Sequence, residues 1–215
     1  MKNYIQLTEL VERYPQLMPV KENIGRAADC LTECYRNGGK VLVCGNGGSS
    51  SDSDHIVGEL MKGFEQKRDL VEKIKKELLN KGGERGKYLA EKLQQGLPAI
   101  SLSAHSGLIS AISNDTDADL VFAQQVIGYG NEGDVLLALS TSGNSQNILD
   151  AIIAAKAKGL TVIGLTGETG GKMASMCDIL INVPGKSTAL VQELHLPVYH
   201  VLCQILETTF FGKNT

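Results

Sequence analysis

Five short apolar runs recur along the chain: KVLVC (40–44), LPAISL (97–102), DVLLAL (134–139), LTVIGL (160–165) and DILINV (178–183). The segments between them carry apolar residues at helical spacing. Runs of this length without polar alternation predict strands buried on both faces, and strands that alternate with helices predict an α/β fold. The expected architecture is a three-layer αβα sandwich around a five-stranded parallel sheet. ENIGRAADCLTECYRNGG (22–39) reads as an amphipathic helix that stops at Gly38 and Gly39. SQNILDAIIAAKAKG (145–159) repeats that design, with Ser145 as a cap and Gly159 as the stop. In such sheets ligands bind beyond the carboxyl ends of the strands, where the strand order reverses, so the loops after Cys44, Leu102 and Leu139 become the places to look.

One segment breaks the alternation. Residues 65–96, EQKRDLVEKIKKELLNKGGERGKYLAEKLQQG, are dense in Lys and Glu, with Leu70, Ile74 and Leu78 at helical spacing and a GGERG break. They predict a charged helical hairpin inserted before the second strand, its charges facing solvent, with a lid as the functional alternative. Neither an internal repeat nor a linker divides the chain, so residues 1–215 read as one domain carrying this insertion.

Composition narrows the partners. Apolar residues make up 42% of the chain and glycines number 24, as suits a packed, turn-rich globule. A net charge of -3 with interspersed signs leaves no polybasic block for nucleic acid or anionic lipid. The five cysteines, Cys30, Cys34, Cys44, Cys177 and Cys203, are odd in number, contain no CxxC pair and mostly lie within apolar runs. Reduced, buried thiols in the cytoplasm are expected. The N-terminal segment lacks a signal peptide's continuous apolar stretch, and no segment approaches the ~18 apolar residues that span a bilayer.

The loop after the first strand, CGNGGSSS, comes close to two nucleotide fingerprints and fails both. A GxGxxG beginning at Gly45 ends on Ser50, and the charged insertion stands where a ribose-binding acid belongs. A P-loop needs Lys after its last glycine, whereas PGKST (184–188) has Leu180 at the first glycine's place. Gly45, Gly47 and Gly48 followed by Ser49, Ser50 and Ser51 instead suit a small phosphate at a helix N-terminus. STSGNS (140–145) repeats that solution on a second strand end. Between 97 and 183 there is no Arg and only three Lys, so dipoles and hydroxyls would hold the anion.

Chemistry has candidates next to these loops. His55 and Glu59 stand four apart and share one helix face, which makes them a half-site for Zn²⁺ or a base with its orienter. VQELHLPVYH (191–200) adds Gln192, Glu193, His195 and His200 on a late helix that Pro197 is expected to kink. Gln192 and His200 can complete a nitrogen and oxygen ligand set, while His195 reads as a core or surface histidine and His105 as a loop residue near the site.

CGNGGSSSDSDH, STSGNS, LTGETGGKM and VQELHLPVYH, in this order and spacing, resemble the SIS (sugar isomerase) domain proteins. The similarity is strongest to the sedoheptulose 7-phosphate (phosphoheptose) isomerases and covers nearly the whole chain apart from 65–96. It implies a homotetramer of flavodoxin-like subunits with sites at subunit interfaces, converting sedoheptulose 7-phosphate to a manno-heptose 7-phosphate with one Zn²⁺ per subunit. Carried over by motif, the metal ligands are His55, Glu59, Gln192 and His200. Substrate contacts fall on Asn46, Gly47, Gly48, Ser49, Asn114, Asp115, Ser140, Thr141, Ser142, Ser145 and Gln192. Glu59 becomes the base and His200 the proton partner of the substrate oxygens.

Two positions depart from the family pattern. MKGF (61–64) stands where the family carries GR(Y/F), so Lys62 or the insertion must supply that cation, and Ala189 replaces an Asp three residues before Gln192. A non-catalytic relative, either a sugar-phosphate sensor or a scaffold for a replication initiator, is the alternative, and retention of all four ligand positions weighs against it. Eight residues of regular helix separate Gln192 from His200 by about 12 Å. One ion can therefore collect both only through a distorted helix or from two subunits, and the shared site is the expectation.

Overall fold

The computed structural model describes residues 4–212. Strands β1 (Val41–Gly45), β2 (Ala99–Ser101), β3 (Val135–Leu139), β4 (Thr161–Thr166) and β5 (Ile179–Asn182) form one parallel sheet in the order β2-β1-β3-β4-β5. These are the five apolar runs of the sequence. The order reverses at β1, whose two neighbours leave in opposite directions, so the crevice beyond β1 and β3 is the switch point. Register sets the two strand ends level: Val41 pairs with Val135 and Gly45 with Leu139.

Alternation along each strand builds two cores. Val41 and Val43 join Val135, Leu137 and Leu139 on one face, while Leu42 and Cys44 join Leu136 and Ala138 on the other. The first face is covered by α1 (Ile5–Arg13), α2 (Lys21–Arg36), α3 (Gly48–Met61) and α8 (Thr188–Phe211). Helices α5 (Ser106–Asp115), α6 (Val121–Tyr129) and α7 (Gln146–Ala157) cover the second. Both faces are thus buried, as the non-alternating runs require. Among the described residues no helix is long and apolar enough to cross a membrane.

The insertion is a hairpin. Helix α4 (Glu72–Lys92) breaks at Gly83, and its two halves fold back so closely that a Cβ on Gly86 would overlap the Leu78 carbonyl. An antiparallel bridge between Asp69 and Gln94 closes its base, where Gln95 N–H donates to the Arg68 carbonyl at 2.8 Å. Its charges face solvent as expected, yet Ile74, Leu78 and Leu89 line an open groove of about 350 Å³ between the halves.

One local expectation is corrected. Ser145 occupies the N-cap position of α7 without capping it, because its hydroxyl lies 3.3 Å from that of Ser140. Helix α8 runs through Pro197 to Phe211, the Glu193 carbonyl losing its helical donor there.

The foot of α3 is tied to α8 by a buried ion pair. Arg68 Nε donates to Glu207 Oε1 at 2.8 Å, and the two side chains are 0% and 2% exposed. Arg68 also donates to the carbonyls of Leu60 (2.6 Å) and Glu59 (2.8 Å), while Glu207 accepts from Phe64 N–H and Glu65 N–H at 2.8 Å each. Burial opposes ionisation of Glu207, but these N–H groups and Arg68 outweigh it and hold its carboxyl below the usual glutamate range. Glu207→Ala strands a buried guanidinium and should cost about 3–5 kcal/mol in denaturant unfolding. Because the folded pKa is depressed, this stabilisation is complete above the ordinary glutamate value and fades as pH falls through the lowered one. Wild type and variant should therefore converge in stability under acid; a pH-independent difference would contradict the pairing.

Candidate active site

Helices α3 and α8 pack side by side in the same direction, meeting in order at Gly48 with Gln192 and at Asp52 and His55 with Tyr199. Ser49, Ser53, Ile56 and Leu60 form the buried face of α3, which leaves His55 and Glu59 at its edge toward α8. At the top of this seam Gly48 lies against Gln192, whose amide a Cβ would overlap. One turn and more below, Tyr199 faces Asp52 and His55, and at the foot Glu207 holds the turn after α3.

The middle of the seam gathers the titratable groups. His55 Nε2 lies 3.2 Å from Glu59 Oε1, and Glu59 is only 14% exposed. Lys62 Nζ lies 3.5 Å from the other carboxylate oxygen, which puts a cation beside Glu59. Arg68 is committed to Glu207 and to backbone carbonyls, so it does not serve as a substrate-facing cation. The His200 ring stands edge-on to His55 with 5.0 Å between centroids. Its Nε2 is buried with no hydrogen-bond partner among the described residues. Burial, then the neighbouring His55, push the His200 pKa down. Burial likewise raises the carboxyl pKa of Asp52.

His200 and Glu59 both lie against His55 within one chain, His200 by its ring and Glu59 by its carboxylate. Gln192 does not join them. Its amide sits at Gly48, two helical turns from His200, because α8 stays continuous between the two. Among the described residues no three His, Cys, Asp or Glu side chains converge to hold an ion. By donor chemistry one chain fits two positions of a zinc site, His55 Nε2 and Glu59 Oε1, with the unpartnered His200 Nε2 nearby.

Both hydroxyl-rich loops open at the switch point. After β1, the N–H groups of Ser49 and Ser50 turn back to the carbonyls of Asn46 and Gly47 at 3.0 Å each. Gly47 and Gly48 N–H take no hydrogen bond among the described residues and stay available to an anion. After β3, Ser142 Oγ accepts from Asn144 N–H at 3.2 Å, which frees its proton for a ligand. Ser140 and Ser145 pair their hydroxyls, and Thr141 and Ser142 open on a cavity of about 500 Å³ that also meets Glu168 and Lys186. Asn114 and Asp115 stand apart: they bond to one another at 2.8 Å on the exposed end of α5.

Several participants were not legible in the sequence. Asn147 exchanges two amide hydrogen bonds with Asn46, at 2.8 and 2.9 Å, and so ties the β1 loop to α7. Tyr199 bonds to Asp52 and to His55 across 147 and 144 residues of chain, with no local pattern to announce these contacts. His195 is a core residue, fully buried with Nε2 3.3 Å from the Thr166 carbonyl. His105 packs on Tyr129, away from the seam.

Comparison with known proteins agrees with this fold. The SIS domain profile matches residues 6–85 and 84–167. A phosphoheptose isomerase from Rhodospirillum rubrum is 42% identical over 184 residues, covering 86% of this chain and 84% of that protein. The structure of a phosphoheptose isomerase from Francisella tularensis superimposes with a TM-score of 0.75 at 34% identity over 91% of both chains. That of the phosphoheptose isomerase from Neisseria gonorrhoeae does so with a TM-score of 0.73 at 33% identity over 94% of both.

Burial lowers the pKa of His195 to about 4 against an ordinary 6.5. The unfolded chain then takes up this proton before the folded one, so His195 makes stability decline as pH falls between those values. In a histidine-selective NMR titration its imidazole should stay neutral until about pH 4. A midpoint near the ordinary value would place His195 in contact with solvent.

Proposed function

The chain belongs to the SIS domain family, among its phosphoheptose isomerases, and from that premise we propose that it interconverts sedoheptulose 7-phosphate and a manno-heptose 7-phosphate. The observation that supports this reading best is the placing of the His55, Glu59 and His200 cluster in the α3–α8 seam whose upper end is the phosphate loop. A ketose and an aldose differ by one proton moved between C1 and C2 through an enediol. The reaction needs a base at carbon, a proton partner at oxygen and an anchor for the phosphate.

Glu59 is the base in this reading. Its low exposure keeps the carboxylate close to a dry substrate carbon, and Lys62 balances its charge. His200, whose pKa burial holds down, is neutral at physiological pH and can exchange a proton with the substrate oxygens. The phosphate is anchored by the hydroxyls of Ser140, Thr141, Ser142 and Ser145 and by the backbone of Asn46, Gly47, Gly48 and Ser49. Gln192, at Gly48, reaches the sugar from the side of α8.

Zinc is part of the proposal, with His55 and Glu59 as its ligands from one chain; when bound it would polarise the carbonyl or position the polyol. A four-ligand site that also includes Gln192 requires a second chain, since the same chain's Gln192 is held two turns away. This favours a homotetramer with its sites at subunit interfaces. Free thiols at all five cysteines suit a cytoplasmic enzyme.

Glu59→Gln keeps the shape and removes the base. Incorporation of deuterium from solvent at C1 or C2 of the sugar phosphate should fall ~10²–10⁴-fold, and normal exchange by the folded variant would remove Glu59 from that role. Ser142→Ala should instead raise KM about tenfold or more, as loss of a hydrogen bond to a charged group does, with kcat little changed. A fall confined to kcat would move Ser142 from binding to chemistry.

A further inference from the structure

His55 touches more than Glu59. Its second nitrogen, Nδ1, lies 3.1 Å from Tyr199 Oη, and that hydroxyl donates to Asp52 Oδ1 at 3.1 Å. Tyr199 is 1% exposed, so water does not compete for these bonds. A phenol carries one proton. With it committed to Asp52, only a lone pair of the oxygen faces His55, and Nδ1 must be the donor. The other nitrogen, Nε2, 3.2 Å from Glu59 Oε1, then keeps its lone pair for an ion or a proton held between the two side chains.

We propose that Asp52 and Tyr199 are positioning residues which fix His55 in its Nδ1–H tautomer and aim the Nε2 lone pair at the reaction site. Two further observations agree. Asp52 Oδ2 is buried with no hydrogen-bond partner among the described residues, so this carboxylate is held by its bond to Tyr199. The Tyr199 ring also stands edge-on to both His55 and His200, at 5.5 and 5.0 Å between centroids, and so holds both imidazole planes. An outer carboxylate acting through a hydroxyl does for His55 what a carboxylate bonded directly to the ring does for other ligand histidines. Nε2 becomes a defined acceptor, for an ion or for a proton, and is not shared between two tautomers.

The effect on turnover rests on the isomerase reading; the tautomer does not, so two measurements separate them. Two-bond ¹⁵N–¹H correlation spectra of chelator-treated, histidine-labelled protein resolve four imidazoles, and the His55 signals are those missing in His55→Gln. Wild type should show His55 protonated on Nδ1. Tyr199→Phe preserves the ring contacts and removes the hydroxyl. Asp52→Ala keeps the hydroxyl and releases its proton toward Nδ1. Both should move His55 to the Nε2–H form and lower kcat ~10–100-fold, the usual effect of losing such an outer partner, with KM nearly unchanged. A wild-type His55 protonated on Nε2 overturns the proposal without any variant, and so does a folded variant that keeps the Nδ1–H form. Should the wild type turn over no sugar phosphate while showing the Nδ1–H form, the isomerase reading fails and the assignment of the two residues stands.

Discussion

The parallel packing of α3 on α8 is the constraint from which the site follows. It is pinned at three heights: Gly48 against Gln192 at the top, Tyr199 between Asp52 and His55 in the middle, and the buried Arg68–Glu207 pair at the foot. A charge pair out of water is a poor source of stability by itself, but it is costly to break and its geometry is specific. Here it also gathers the carbonyls of Glu59 and Leu60 and the N–H groups of Phe64 and Glu65. The last turn of α3 is thereby held in one register against α8, and with it the Glu59 side chain. The insertion leaves the fold directly after this clamp, so its hairpin is carried by a fixed base.

The sheet supplies the other half. The reversal of strand order at β1 sets two glycine- and serine-rich loops side by side, and the amide pair between Asn46 and Asn147 holds one to the other. Donors for an anion therefore sit at the top of the seam, and acid–base groups lie one to three turns below along α3. This spacing suits a ligand with a charged end and an extended polyol, bound lengthwise. It also separates Gln192 from His200, which is why any ion that collects both needs a second chain.

Local pattern carried the sequence reading as far as local physics reaches. The five strands were legible because burial on both faces removes polar alternation, and the hairpin because its charge and its GGERG break interrupt that design. His55 and Glu59 were legible through their spacing of four, and the spacing of eight between Gln192 and His200 matches their separation by two turns of a continuous α8. The packing of α3 on α8 that brings His200 to His55 within one chain has no local signature in the sequence. Ser145 is the residue type of a cap, yet its hydroxyl has a better partner in Ser140. Tyr199 reads in sequence as one more apolar helix position; only a contact with a helix 144 residues earlier reveals its hydroxyl as part of the site.

The central claim is that a single chain's α3–α8 seam carries the acid–base set. It is tested most directly by mixing two inactive variants, Glu59→Gln and His200→Ala, dissociating and reassembling them, and assaying assemblies shown by mass spectrometry to contain both. Since Glu59 and His200 belong to the same seam, no mixed assembly contains an intact pair, and activity should stay at the level of the separate variants. Recovery of a substantial part of the wild-type rate would show that one chain's Glu59 works with another chain's His200, and would contradict the account.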